Sequence, residues 1–227
     1  MLIIELAGLP GCGKSTLWES LKDELLKRGR NVYTYRELMH REPLFIHKGF
    51  LFKWEKCKPQ TVSYMNWIEQ YCASVPTDEK RDRFKKMLIE LYYRMHVAAW
   101  NRGEDIILLD EGLVQNFTSL FFMDAIPREP STEKVIRNMI DLRCRYLIVK
   151  CNISIEEDVV RLKNRARIND RYYSLQGEAL RKALFTKEQN IDYVISLFKA
   201  KRGIKLDIDM ESSAKSNTDL IIKKLCM

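Results

Sequence analysis

Nine consecutive residues near the start of the chain, Gly8-Leu9-Pro10-Gly11-Cys12-Gly13-Lys14-Ser15-Thr16, set three glycines, a lysine and two hydroxyls at the spacing of a phosphate-binding P-loop. A polyphosphate must be held by groups that point inward with no side chains in the way. Glycines at 8, 11 and 13 let backbone N–H groups form such a concave nest. A helix starting near Lys14 adds its positive end. Lys14 is then placed to reach the outer phosphates, Ser15 to ligate Mg²⁺ that bridges them, and Thr16 to contact the innermost phosphate. Pro10 and Cys12 complete the loop, and Cys12 reads as a tolerated small residue rather than a redox switch. The plain alternative is a glycine-rich turn without a ligand. Against it stand the apolar run from Leu2 to Ala7 just before the motif and the helical stretch from Leu17 to Arg28 just after.

Two further clusters carry chemistry. The run Ile106-Ile107-Leu108-Leu109 ends in Asp110-Glu111-Gly112, the pattern of a buried strand delivering acids to a cleft. Asp110 would hold Mg²⁺ through water, and Glu111 would orient or deprotonate an attacking hydroxyl. Glu37, which with Arg36 follows another strand and faces the same cleft, is the rival base, and the sequence leaves both open. The third cluster follows a capping box, Ser154-Ile155-Glu156-Glu157. Arg161, Arg165, Arg167 and Arg171 fall within eleven positions, with Arg161 and Arg165 on one helical face. An arginine fork grips phosphoryl oxygens in pairs and neutralises charge as a group is transferred, so this segment reads as a lid. A basic surface helix paired to Glu156 and Glu157 is the bland reading.

Positioning these clusters requires a scaffold. Apolar, β-rich runs at 2–7, 31–36, 105–110, 145–151 and 204–208 alternate with helical periodicity, which predicts a three-layer α/β fold with a five-stranded parallel sheet covered on both faces. Ligands bind such sheets at the carboxyl ends of the strands, so the P-loop, Arg36-Glu37 and Asp110-Glu111 are expected to converge. The long connection between the second and third strands predicts helices over 63–74 and 78–102, a flap over an acceptor substrate. The aromatic-basic mixture from Phe45 to Lys56 reads as helix packing, with stacking on a base or contact with a membrane surface as the alternatives.

At 227 residues and 26.9 kDa the expectation is one domain over 1–227, with 37–102 as the acceptor-covering region and 161–175 as the lid. Met1 is followed directly by the expected first strand, so no signal peptide is expected, and no apolar run is long enough to span a bilayer. Cysteines 12, 57, 72, 144, 151 and 226 have no paired spacing, so free thiols in the cytoplasm are expected. The net charge of +8 is spread among nearly as many acids, which favours solvated surface and anionic small substrates over nucleic acid.

Together these residues resemble the nucleoside-monophosphate kinases, thymidylate kinase and its relatives above all. The resemblance runs in order over nearly the whole chain: GLPGCGKST, the strand ending YRE, the helix ELYYRMH, the strand ending DEG, the lid RLKNRARINDR, the strand IKLDID and the closing helix NTDLIIKKL. It implies ATP and Mg²⁺ at the P-loop and transfer of the γ-phosphoryl group to a nucleotide or nucleoside acceptor under a closing lid. By the same resemblance Arg94 grips the acceptor's phosphate, Arg161, Arg165 and Arg171 are lid arginines, and residues 210–213 contact adenine. A homodimer is compatible with it. A nucleic-acid-end kinase and a non-catalytic nucleotide sensor are the competing classes. No Asn-Lys-x-Asp motif supports a guanine-reading switch.

Overall fold

The computed structural model describes residues 2–34, 37, 59–73, 82, 85, 89, 106–109, 112–122, 128–139, 145–165, 172, 174–198 and 203–225. Within them the chain forms β1 (Leu2–Gly8), α1 (Lys14–Lys27), β2 (Val32–Thr34), α2 (Pro59–Ala73), β3 (Ile106–Leu109), α3 (Leu113–Phe122), α4 (Pro130–Met139), β4 (Arg145–Asn152), α5 (Ile155–Lys163), α6 (Gly177–Phe198), β5 (Gly203–Asp209) and α7 (Ala214–Lys224). The five strands are all parallel, in the order β2-β3-β1-β4-β5.

β1 is the centre of the sheet, and every one of its residues is buried. It pairs with β3 through Leu2↔Ile106 to Glu5↔Leu109 and with β4 through Leu2↔Arg145 to Gly8↔Cys151. A strand covered on both faces needs apolar residues at successive positions, which is why the continuous run was legible. α1 packs on α7, with the Ser20 and Thr218 hydroxyls 2.9 Å apart, while α3 packs on α6, giving helical layers on the sheet's two faces. From β1 the chain crosses to β2 on one side of the sheet, and from β3 it crosses to β4 on the other. The strand order therefore reverses beside β1, and a crevice opens at the carboxyl end of that strand.

All five expected strands are present with shifted edges. The second is described only over Val32–Thr34, with Arg36 outside the described residues. α2 starts at Pro59, four residues before the expected 63, because proline's fixed φ suits the first helical turn, where its missing N–H costs nothing. Of the helix expected over 78–102, Asp82, Lys85 and Ile89 are described and helical, and Lys85 Nζ lies 2.5 Å from Glu69 Oε1 of α2. α3 was not marked in the sequence. Its buried residues Leu113, Val114, Phe117, Leu120 and Phe121 recur at helical spacing on one face, with Gln115, Asn116 and Ser119 on the other, a signal that the sequence carried. No described helix is long and apolar enough to cross a membrane.

Candidate phosphate-binding site

The P-loop runs from the end of β1 into α1 at the strand-order reversal. Its glycines are required for different reasons. Gly13 is the N-cap of α1 at φ 95°, a left-handed conformation that strains any residue with a Cβ. At Gly8 the demand is space, because a Cβ would come within 2.7 Å of the Cys151 carbonyl and 2.9 Å of Cys12 Sγ. At Gly11 a Cβ would meet Asp158 Oδ1 at 2.7 Å and Leu162 Cγ at 3.0 Å. The loop is thus pressed from behind by β4 and α5, a constraint that comes from distant sequence.

Lys14 reaches back across the loop, where its ammonium donates to the carbonyls of Gly8 at 3.0 Å and Leu9 at 2.5 Å and lies 3.6 Å from Cys12 Sγ. Ser15 and Thr16 are exposed at the mouth. α1 begins without a side-chain cap and without an acidic residue in its first turn. By contrast α5 and α7 are capped by Ser154, accepting from Glu157 N at 3.3 Å, and by Ser213, accepting from Ser216 N at 3.1 Å. The first-turn amides of α1 have no intrahelical partners, so their polarity is directed into the crevice.

Two arginines close on the loop from the side, Arg161 in α5 and Arg165 just past the end of that helix, so the two do not share one helical face as the spacing predicts. Arg161 pairs with Glu157 at 2.8 Å, as the bland reading expects, but its guanidinium also donates to the Cys12 carbonyl at 3.3 Å and to the Met210 carbonyl at 3.2 Å. Arg165 donates to the Pro10 carbonyl at 2.9 Å. These contacts bring α5, the P-loop and the segment after β5 to one place, with Met210 Cε 3.4 Å from the position of a Cβ on Gly13. The 210–213 segment is held by Asn217 Nδ2 donating to the Asp209 carbonyl at 2.7 Å and by Glu211 N donating to Asp209 Oδ1 at 2.9 Å.

Glu37 sits at the end of β2 in a reciprocal cap. Its Oε2 accepts from Thr34 N at 2.7 Å, its own N–H donates to Thr34 Oγ1 at 3.0 Å, and its Oε1 accepts from Lys22 at 2.8 Å. Lys22 holds its carboxyl below the usual carboxylate range, which weakens it as a proton acceptor. Arg36, Arg94, Asp110, Glu111, Arg167 and Arg171 lie outside the described residues.

Three groups at this site were not singled out in the sequence. Glu5, in the middle of β1, is fully buried and anchors the start of α3. It accepts from Gln115 N at 2.9 Å, Val114 N at 3.2 Å and the Tyr146 hydroxyl at 2.5 Å. Burial pushes its carboxyl up despite those bonds. Gly112 lies hard against it, since a Cβ there would fall 2.3 Å from Glu5 Cδ. An acid in an otherwise aliphatic strand was the available signal. The second group is Cys151, whose Cβ and the Cys12 sulfur crowd the same point beside Gly8, both as free thiols. Cys151 and the Lys14 ammonium push the Cys12 thiol down to about 6 while Cys151 is pushed up. The third is Asp158, which reads in sequence as one more acid in a first helical turn, yet its side chain is completely buried behind Gly11.

Solved structures share this arrangement of strands and helices. Deoxyadenosine kinase from M. mycoides with the products dCMP and a flexible dCDP bound superposes with a TM-score of 0.53 at 17% identity, covering 98% of each chain. The same enzyme with bound dATP gives 0.51 at 19% identity over 100% of each chain. YorR from Bacillus subtilis, in complex with phosphorylated GDP, gives 0.54 at 16% identity over 99% of this chain and 95% of that one. No protein-family model matches the sequence, and no curated protein matches it significantly. The fold is therefore the α/β fold of these proteins, with a five-stranded parallel sheet.

Proposed function

We propose that the protein is an ATP-dependent phosphotransferase that moves the γ-phosphoryl group of Mg-ATP to a nucleoside or nucleotide. The observation that carries the reading is the convergence on one P-loop of an uncapped helix N-terminus, Lys14, Arg161 of α5 and Arg165 just beyond the end of that helix. In this reading the amides of residues 11–16 cradle the phosphates, Lys14 turns from the loop carbonyls toward the outer phosphates, and Arg161 and Arg165 exchange carbonyls for phosphoryl oxygens. Arg165 and Arg171 compensate charge on the transferred group, while Glu111 orients the attacking oxygen. The Ser15 hydroxyl and Asp110 are the groups of this chain that would hold Mg²⁺, which would supply positive charge to neutralise the phosphates.

The acceptor would lie over the carboxyl ends of β2 and β3, contacted by Arg36, Glu37 and Arg94 beneath the 37–102 region, with 161–175 as the lid. Glu111 is the better base of the two rivals, because Glu37 is already committed to Lys22 and Thr34. The names of the structural neighbours favour a deoxynucleoside or its monophosphate as acceptor. A thymidylate-type acceptor, a cytoplasmic location and a homodimer are the finer parts of the proposal, and the acceptor rests on the order of motifs along the chain, since the Arg36-Glu37-Leu38 and Asp110-Glu111-Gly112 segments depart from the thymidylate kinase pattern. The test is to incubate the protein with Mg-ATP and a panel of deoxynucleosides, their monophosphates and a short oligonucleotide, and to follow ADP release. Stimulation by a nucleoside or monophosphate supports the reading. Stimulation by the oligonucleotide alone replaces it with an end kinase.

A further inference from the structure

Phosphate binding leaves one carboxylate unexplained. Asp158, in the first turn of α5, is completely buried, and neither of its oxygens has a hydrogen-bond partner among the described residues. It is packed against the phosphate loop, with Oδ1 2.7 Å from the position of a Cβ on Gly11. The groups that act on it are Cys12 and the Gly11 N–H from the loop, Lys14 from α1, and Arg161 from its own helix. Gly11 N–H is near enough to weaken its hold on a proton, although it does not reach hydrogen-bond geometry.

An ionised Asp158 and a bound phosphate would compete for the same loop amide and the same lysine charge, and two anions on either side of one glycine repel in a poorly solvated site. The conflict disappears when the carboxyl carries a proton. We infer that Asp158 is a proton-linked positioning residue of the P-loop, so that nucleotide phosphate enters the loop together with a proton that the Asp158 carboxylate takes from solvent. This rests on the nucleotide-binding reading above.

Burial, and then the charge of Cys12, already push this carboxyl up to about 7 before any phosphate arrives, so near neutrality it is part ionised. A phosphate adds a push in the same direction. Uptake is thus largest above pH 7.5 and vanishes below about pH 6, where the proton is already in place. Affinity falls by up to about tenfold per pH unit above neutrality, until the bound-state titration is passed.

The experiment is calorimetric titration with Mg-ADP at pH 6 and pH 8, in buffers of different ionisation enthalpy, for the wild type, Asp158→Asn and Asp158→Ala. The wild type is expected to take up most of a proton per Mg-ADP at pH 8 and little at pH 6. Both variants should lose that uptake and bind about tenfold more tightly than wild type at pH 8, converging with it at pH 6. The nucleotide's own titration is common to all three proteins and cancels in the comparison. A residue that only shaped the loop would change affinity equally at both pH values, and that result overturns the inference. Uptake that persists in the variants also overturns it, because the proton then resides elsewhere, Cys12 being the nearest group. Wild-type protein that binds no Mg-ADP at either pH overturns the nucleotide reading and this inference with it.

Discussion

Replacing Glu5 by alanine removes the acceptor of three donors, the N–H groups of Val114 and Gln115 at the start of α3 and the hydroxyl of Tyr146. Each buried donor left without an acceptor costs ~1–3 kcal/mol, and the missing side chain adds a cavity. Relief of Glu5's own desolvation, visible in its raised proton affinity, works the other way. The net loss is expected in the lower part of the summed range, ~3–5 kcal/mol, which for a chain of this size lowers the melting temperature by ~6–20 °C. Tyr146→Phe removes a single bond and should cost ~1–2 kcal/mol. Glu5→Gln should fall between the two, because an amide nitrogen must then face at least one of the donors. Urea unfolding followed by circular dichroism measures all three. A Glu5→Ala variant within about 1 kcal/mol of wild type would refute the claim that this carboxylate holds α3 to the sheet.

Three other outcomes are expected. Gly112→Ala drives a methyl into Glu5 and should destabilise by ~1–3 kcal/mol in urea, with most of the loss recovered when Glu5 is also alanine; independent, additive losses would contradict the packing. Asp158 has its folded-state value raised from 3.8 to about 7, so its contribution to stability declines as pH rises from about 4 to 7. Without nucleotide, Asp158→Asn should therefore gain on wild type across that window by up to ~4 kcal/mol and run parallel to it above pH 8, which a urea series at several pH values reads directly. Arg165→Ala should lower kcat ~10- to 1000-fold and nucleotide affinity much less, since its phosphoryl contact strengthens as the group transfers; an equal loss in both makes it a ground-state binding residue.

The fold was legible because β1, β3 and β4 are short, mostly aliphatic runs, β5 alternates apolar with charged residues, and the P-loop fixes which strand comes first. α3 was missed although Leu113, Val114, Phe117, Leu120 and Phe121 recur at helical spacing over its ten residues. At the site, the left-handed turn at Gly13 was legible in the motif, the Ser154 cap in its box, and the approach of Arg161 to the loop in its place on α5, whereas Arg165 reaches the loop from beyond the end of that helix. What the sequence hid is what the sheet brings together from far apart. Cys151 meets Cys12 only because β4 lies beside β1, and Asp158 comes to rest behind Gly11 only because α5 packs against the loop. Glu5 was in plain view as an acid among aliphatics, but its partners on α3 and β4 are more than one hundred residues away.

The most direct test of the account is transfer of radiolabelled phosphate from the γ position of Mg-ATP to deoxynucleosides and their monophosphates, run with wild type and Lys14→Met at matched folded concentration. The account predicts labelled product with wild type, dependent on one class of acceptor, and none with Lys14→Met, whose melting curve should stay close to that of wild type. Equal transfer by both proteins, or tight Mg-ATP binding by wild type with no labelled product from any acceptor, would contradict it.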